Sequence, residues 1–221
     1  MTRDELMAEL KALGDDKMRE SHIRHGAGED AFGVKMGDIR KLAKASKGGH
    51  ELALELWETG QFEARMLAIL LMKPKRLSAE EMEGLIRENR VMQVSDWLNS
   101  YVLKQHPAKE ELRQRWESAE DPMLARAYWS LTAERVTKAP EGLALGPLLD
   151  RIEAEMAEAP PEPQWTMNNT LAAIGINHEA ERERALEIGE RLGVYRDYPT
   201  PKGCTSPFAP LWINEMVGRQ S

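Results

Sequence analysis

A single cysteine, Cys204, in a chain of 221 residues excludes an internal disulfide and any multi-cysteine zinc site. No apolar run approaches the ~20 residues that cross a bilayer. The opening MTRDELMAEL reads as a charged amphipathic helix rather than a signal peptide, so a cytoplasmic location and no membrane partner are expected. Period-2 alternation bounded by turn residues is missing, which predicts no sheet. Nor is there a glycine-rich loop leading into Lys-Ser/Thr at a helix start, or a dinucleotide fingerprint, so nucleotide-driven chemistry is not expected. His22 and His25 are three apart but no third ligand stands at metal spacing, so they read as a surface pair, and neither metal nor cofactor is expected. Cys204 follows Gly203 in a loop without an adjacent basic group to activate it, and reads as a packed or exposed thiol. The formal net charge of -7 argues against non-specific coating of nucleic acid by the whole surface and leaves a local basic groove open.

What the chain does have is core-forming material: 42% hydrophobic against 30% charged residues, enough for one domain or two closely joined halves. Leu6, Met7, Leu10 and Leu13 at helical spacing predict a helix over Thr2–Leu13, stopped by Gly14. A second short helix is predicted over Asp15–His25, followed by the loop HGAGEDAFGV with Phe32 and Val34 turned inward. Asp38 sits in the first turn of the next helix, whose Ile39, Leu42 and Ala43 face inward. Lys35, Arg40, Lys41, Lys44 and Lys47 make this the most basic part of the chain.

From there the rhythm is helix, short turn, helix: Glu51–Glu58, Phe62–Met72, Ala79–Asn89, Val94–His106, Lys109–Glu117, Met123–Thr137, Gly142–Ala157, Pro163–Ile174, Glu179–Leu192 and Pro207–Val217. Separators such as Lys73-Pro74-Lys75, His106-Pro107 and Asp121-Pro122 are short and proline-marked, which suits antiparallel neighbours. Helix pairs with apolar residues on two sides must stack to hide them, so the expected fold is an all-α solenoid of helix pairs with a concave binding face. The period of ~40 residues expected of such units is only approximate here. One domain over residues 1–221 is expected, with a hinge near 159–164 in APPEPQ. The tail and last helix, 194–221, are expected to have Ser206 as cap and Pro207 at the first helical position.

Val94–His106 carries the residues of most chemical interest. At about 100° per residue, Val94, Trp97, Leu98, Tyr101 and Val102 fall on one arc, and Asp96, Asn99 and Ser100 on the other, flanked by Lys104. The pattern places Trp97 in the core with Tyr101 and leaves Asp96 as either a functional or a solvated carboxylate.

At FGVKMGDIRKLAK, FEARMLAILLM, SDWLN, DPMLARAYW and KGCTSPFAPLWI the chain resembles the DNA alkylation repair family of HEAT-like repeat proteins, over nearly its whole length. The resemblance implies an all-helical solenoid whose concave face holds duplex DNA. It also implies a monofunctional glycosylase that releases cationic N3- or N7-alkylated purines without a metal and without pulling the damaged base into a pocket. The family's WDxVD-like signature falls on Ser95, Asp96, Trp97, Leu98 and Asn99: the first Trp has become Ser95, the last Asp has become Asn99, and only Asp96 keeps its carboxylate. The family's DNA-contacting arginine falls on Arg126, with Met123 in place of the Trp before it. A further family aromatic falls near Asn169, with Trp165 one turn earlier.

An alkylated purine leaves readily, and its sugar becomes oxocarbenium-like, so a nearby carboxylate stabilises the transition state and orients water. A neutral amide cannot supply that Coulomb term, roughly 4 kcal/mol at ~4 Å and an effective dielectric of ~20, or on the order of a thousandfold in rate. The candidate catalytic residues are therefore Asp96 and Asn99, with Asn99 the reason to expect impaired chemistry. The candidate DNA-binding residues are Arg126, Lys35, Arg40, Arg65, Lys104 and Ser95, set where a solenoid could align them along phosphates. Glu179, Glu183 and Glu187 form a solvated acidic stripe. Three functions compete: a glycosylase for alkylated purines, a non-catalytic binder of duplex, damaged or branched DNA, and a protein-interaction scaffold. The expected partner is double-stranded DNA, alkylated or distorted, bound by a monomer.

Overall fold

The structure, a computed structural model, describes residues 1–220. Among the described residues it has thirteen α-helices, two one-turn 3-10 segments and no strand, as the all-α reading requires. The chain divides into two compact units, Met1–Lys109 and the residues from Glu110 onward.

The first unit contains α1 (Arg3–Ala12), α2 (Asp16–Arg24), α3 (Met36–Ser46), α4 (His50–Glu58), α5 (Phe62–Leu71), α6 (Ala79–Glu88) and α7 (Met92–Tyr101). Its centre is α5, FEARMLAILL, which buries eight of its ten residues. A helix apolar on nearly every side must be enclosed, and α3, α4 and α7 all pack against it. Gln61 starts α5 by accepting the Ala64 N–H at 2.8 Å.

One buried residue of α5 is charged. Glu63, fully shielded from solvent, accepts backbone N–H groups from Phe32 (3.0 Å), Gly33 (2.7 Å) and Val34 (3.2 Å), and the Gln61 side-chain amide at 2.5 Å. His22 Nδ1 lies 3.1 Å from it. The loop after α2 has no helix or sheet to satisfy its backbone, and this carboxylate does so instead. Gly33 turns the loop at φ 83°, and a Cβ there would lie 2.2 Å from the Asp15 carbonyl oxygen and 2.5 Å from Arg19 N. Gly33→Ala combines a left-handed backbone with a backbone clash. We expect it to cost more than the ~1 kcal/mol of an ordinary Gly→Ala mismatch, measured as a lower midpoint in urea.

The second unit contains α8 (Lys109–Arg115) except its first residue, α9 (Pro122–Lys138), α10 (Leu145–Glu155), α11 (Pro161–Asn177), α12 (Glu179–Leu192) and α13 (Ala209–Gly218). Its centre is α11, which packs along α9 and against α12 and α13. Asp121 caps α9 through the N–H groups of Met123 and Leu124, with Pro122 at the first position. The Thr170 hydroxyl, buried between α11 and α9, lies 3.0 Å from the Trp129 carbonyl and 2.8 Å from that of Thr166.

Two expectations are corrected. The helix predicted over Val94–His106 ends at Tyr101, and Leu103–Gln105 forms a 3-10 turn. Pro107 forces His106 into an extended conformation (ψ 134°), and His106 Nε2 then meets the Leu77 carbonyl at 3.0 Å. The segment 159–164, expected as a hinge, lies within the second unit, where the Gln164 amide donates to the Met156 and Ala157 carbonyls at 3.0 and 3.2 Å. Ser206 does not cap α13 directly; its hydroxyl accepts the Phe208 N–H at 3.2 Å, and the helix starts at Ala209 with Phe208 as cap.

Candidate nucleic-acid interface

In the first unit α3 and α7 both rest on α5, and this brings Arg40 of α3 to Trp97 and Tyr101 of α7. The Arg40 guanidinium carbon is 4.6 Å from the Trp97 ring centroid, and its Nη2 lies 3.5 Å from the Tyr101 hydroxyl. The two rings are 5.3 Å apart and tilted by 51°. Such a cation–π contact holds a guanidinium in place without neutralising it, as a carboxylate would.

The core assignment of Trp97 is therefore corrected. The buried line of α7 runs through Val94 and Leu98, and continues into Val102. Trp97 precedes Leu98 by one residue, about 100° around the helix, which places it at the edge, half-buried, while Tyr101 is 42% exposed. Asp96 is exposed, and Asn99 is half-buried about 160° around the helix from Trp97. Ser95, half-buried, accepts from the Asn89 side-chain amide at 2.6 Å, so its hydroxyl serves the turn before α7.

The cations around this face differ in availability. Lys35, Arg40, Lys41, Lys44 and Lys47 are all exposed, against Asp38 as the one carboxylate of the stretch. Lys41 pairs with Asp38 at 2.8 Å, and that hydrogen bond holds the Asp38 carboxyl below its usual range. Lys104, half-buried in the 3-10 turn after α7, has its carbonyl bonded by Lys109 Nζ at 3.0 Å.

Two of the expected DNA-contacting arginines are held by contacts within their own units, Arg65 half-buried and Arg126 buried. Arg65 lies over the Trp57 ring at 4.7 Å and donates to the Trp57 carbonyl at 3.3 Å. Burial lowers its pKa, with the Glu88 carboxylate opposing. Arg126 in the second unit is 5% exposed, and its Nη1 donates to the Glu162 carbonyl at 3.0 Å. Burial pushes the nearby Tyr195 hydroxyl up, against the opposing pull of the Arg126 charge. A sequence motif fixes the identity of a residue but not its exposure, and here α9 turns Arg126 toward α11.

In that unit Trp165, half-buried, meets Tyr195 and Tyr198 at centroid distances of 5.1 and 5.7 Å, and Asn169 follows one turn later on α11. The cluster takes its tyrosines from the irregular tail, where no periodicity announces them. Of the two histidines read as a surface pair, His22 is buried against Glu63 and Phe62, while His25 is exposed and its Nδ1 lies 2.6 Å from the Ser21 carbonyl. Cys204 is exposed.

The family model described as DNA alkylation repair enzyme matches residues 6–210. Uncharacterized protein Lin0241 of Listeria innocua is 25% identical over 225 residues, covering 99% of each chain. Uncharacterized protein Lmo0209 of Listeria monocytogenes is 24% identical, again over 99% of both. A solved structure described as a new family of proteins related to the HEAT-like repeat DNA glycosylases, with affinity for branched DNA structures, matches with a TM-score of 0.82. It is 25% identical, with 100% of this chain and 95% of that chain covered. The chain belongs to the DNA alkylation repair enzyme family, with a HEAT-like, all-α fold.

Proposed function

We propose that this protein binds branched or distorted double-stranded DNA through the α3–α7 face, and that base excision is not its main activity. The observation that carries this reading is Arg40 held over Trp97 among exposed lysines. A phosphate needs an oriented cation, and an unstacked base or sugar needs an aromatic edge beside it. The structural relative's affinity for branched DNA supports the choice of target.

Arg40→Ala should weaken binding of a three-way junction by about tenfold, and should lower the slope of log affinity against log salt by about 1. Fluorescence anisotropy across a salt series checks both. Unchanged affinity together with an unchanged slope would remove Arg40 from the interface.

A glycosylase reading keeps one supporting observation, that Asp96 retains a carboxylate beside Trp97. That carboxylate is exposed. In water-like surroundings its attraction for a cation ~4 Å away is only about 1 kcal/mol, against roughly 4 kcal/mol in a site of intermediate dielectric. Asp96 alone is a weak basis for excision chemistry.

A further inference from the structure

We infer that a cleft in the second unit, between Trp165 of α11, the tail and Trp212 of α13, takes one unpaired nucleobase by stacking. The cleft has a volume of about 280 Å³ and its walls include Trp165, Tyr198, Ser206, Pro207 and Trp212. This rests on the DNA-binding reading above, since branched DNA is what presents unpaired bases.

The walls are flat, apolar and without a carboxylate. Another cleft of the same unit, about 370 Å³, sets Glu120, Glu155 and Glu158 against the single cation Arg151, a less favourable lining for a phosphodiester. Tyr198 touches both Trp165 and Tyr195 yet stays 47% exposed, so the cluster leaves aromatic area uncovered. The hydroxyl of Ser206 already accepts from Phe208 N, which leaves its proton to donate to a base edge. Lys202, exposed on the loop between Pro201 and Gly203, supplies the cation for the adjoining phosphate.

The cleft is also held in shape. Tyr195 has φ 62°, a conformation a non-glycine residue keeps only when its surroundings impose it. The Asn168 amide donates to the Pro207 carbonyl at 2.8 Å, fixing one wall. A Cβ on Gly189 would lie 2.7 Å from Pro210, a closeness that seats the start of α13, which carries Trp212, against α12. A volume at the small end of ligand pockets suits one ring system rather than a peptide.

The test compares two three-way junctions, fully paired or with two unpaired thymines at the branch, together with a short single strand carrying 2-aminopurine. Wild type should prefer the junction with unpaired bases by roughly 5- to 150-fold, the range of one stacking contact. It should also quench 2-aminopurine and, when bound, slow maleimide labelling of Cys204. Tyr198→Ala should erase preference and quenching while affinity for the paired junction stays; Tyr198→Phe should restore both. Circular dichroism confirms that the exposed substitution leaves the helices intact. Equal binding of both junctions without quenching overturns the cleft and leaves the α3–α7 reading standing. Quenching without junction binding supports the cleft and overturns that reading, and neither signal overturns both.

Discussion

Glu63→Ala is expected to destabilise the first unit by about 3–5 kcal/mol, the cost of removing one partner from a buried charged network. The carboxylate is fully buried, and three successive backbone N–H groups, Phe32 to Val34, converge on it with the Gln61 amide. Alanine would leave those donors unsatisfied in a dry interior. Burial by itself raises the pKa of Glu63, but hydrogen bonds from Phe32, Gly33, Gln61 and His22 outweigh it, and the net shift is below the ordinary value of 4.5. A folded-state pKa lowered in this way gives stability that is fully present above the unfolded value and is lost as pH falls through the folded one. Urea denaturation should therefore show the largest gap between wild type and Glu63→Ala near neutral pH, narrowing below 4.5. A gap independent of pH would mean that the side chain acts by volume alone.

Asn99→Asp is expected to produce base release where the wild type shows none above background. The family signature falls on Ser95–Asn99, and its last carboxylate is the group that would face an oxocarbenium-like sugar. Asn99 is half-buried on α7, so a carboxylate there would act in a medium less screened than that around exposed Asp96. At ~4 Å and an effective dielectric of ~20 the restored attraction is roughly 4 kcal/mol, up to about a thousandfold in rate. Release of 7-methylguanine from methylated duplex DNA, at enzyme excess, measures it. Asp96→Asn in the wild type should change nothing. If Asn99→Asp stays inert while binding DNA normally, the sugar does not come within reach of α7.

The helices themselves were largely legible. Apolar spacing locates α1, α5 and α9, and proline separators mark several of the turns from α5 onward, because both signals act locally. What stayed hidden depended on distance in sequence. Glu63 sits in the first turn of an apolar helix, where a carboxylate is favoured by the helix dipole anyway; its partners are about thirty residues upstream. Helical phase groups Trp97 with Tyr101 on a broad apolar arc, whereas the buried line is narrow and centred on Leu98. The motif marks Arg126, but only the packing of α9 on α11 reveals that it is buried. The boundary at Lys109 lies beside a helix start with no change in composition, while the more conspicuous APPEPQ segment is tied into the second unit.

The most direct measurement is a competition titration of the wild-type protein between a three-way junction and a linear duplex of equal length, from low to physiological salt. The junction should win at every salt concentration, and affinity for both should fall steeply as salt rises. Binding insensitive to salt, or a linear duplex holding as well as the junction, would contradict it.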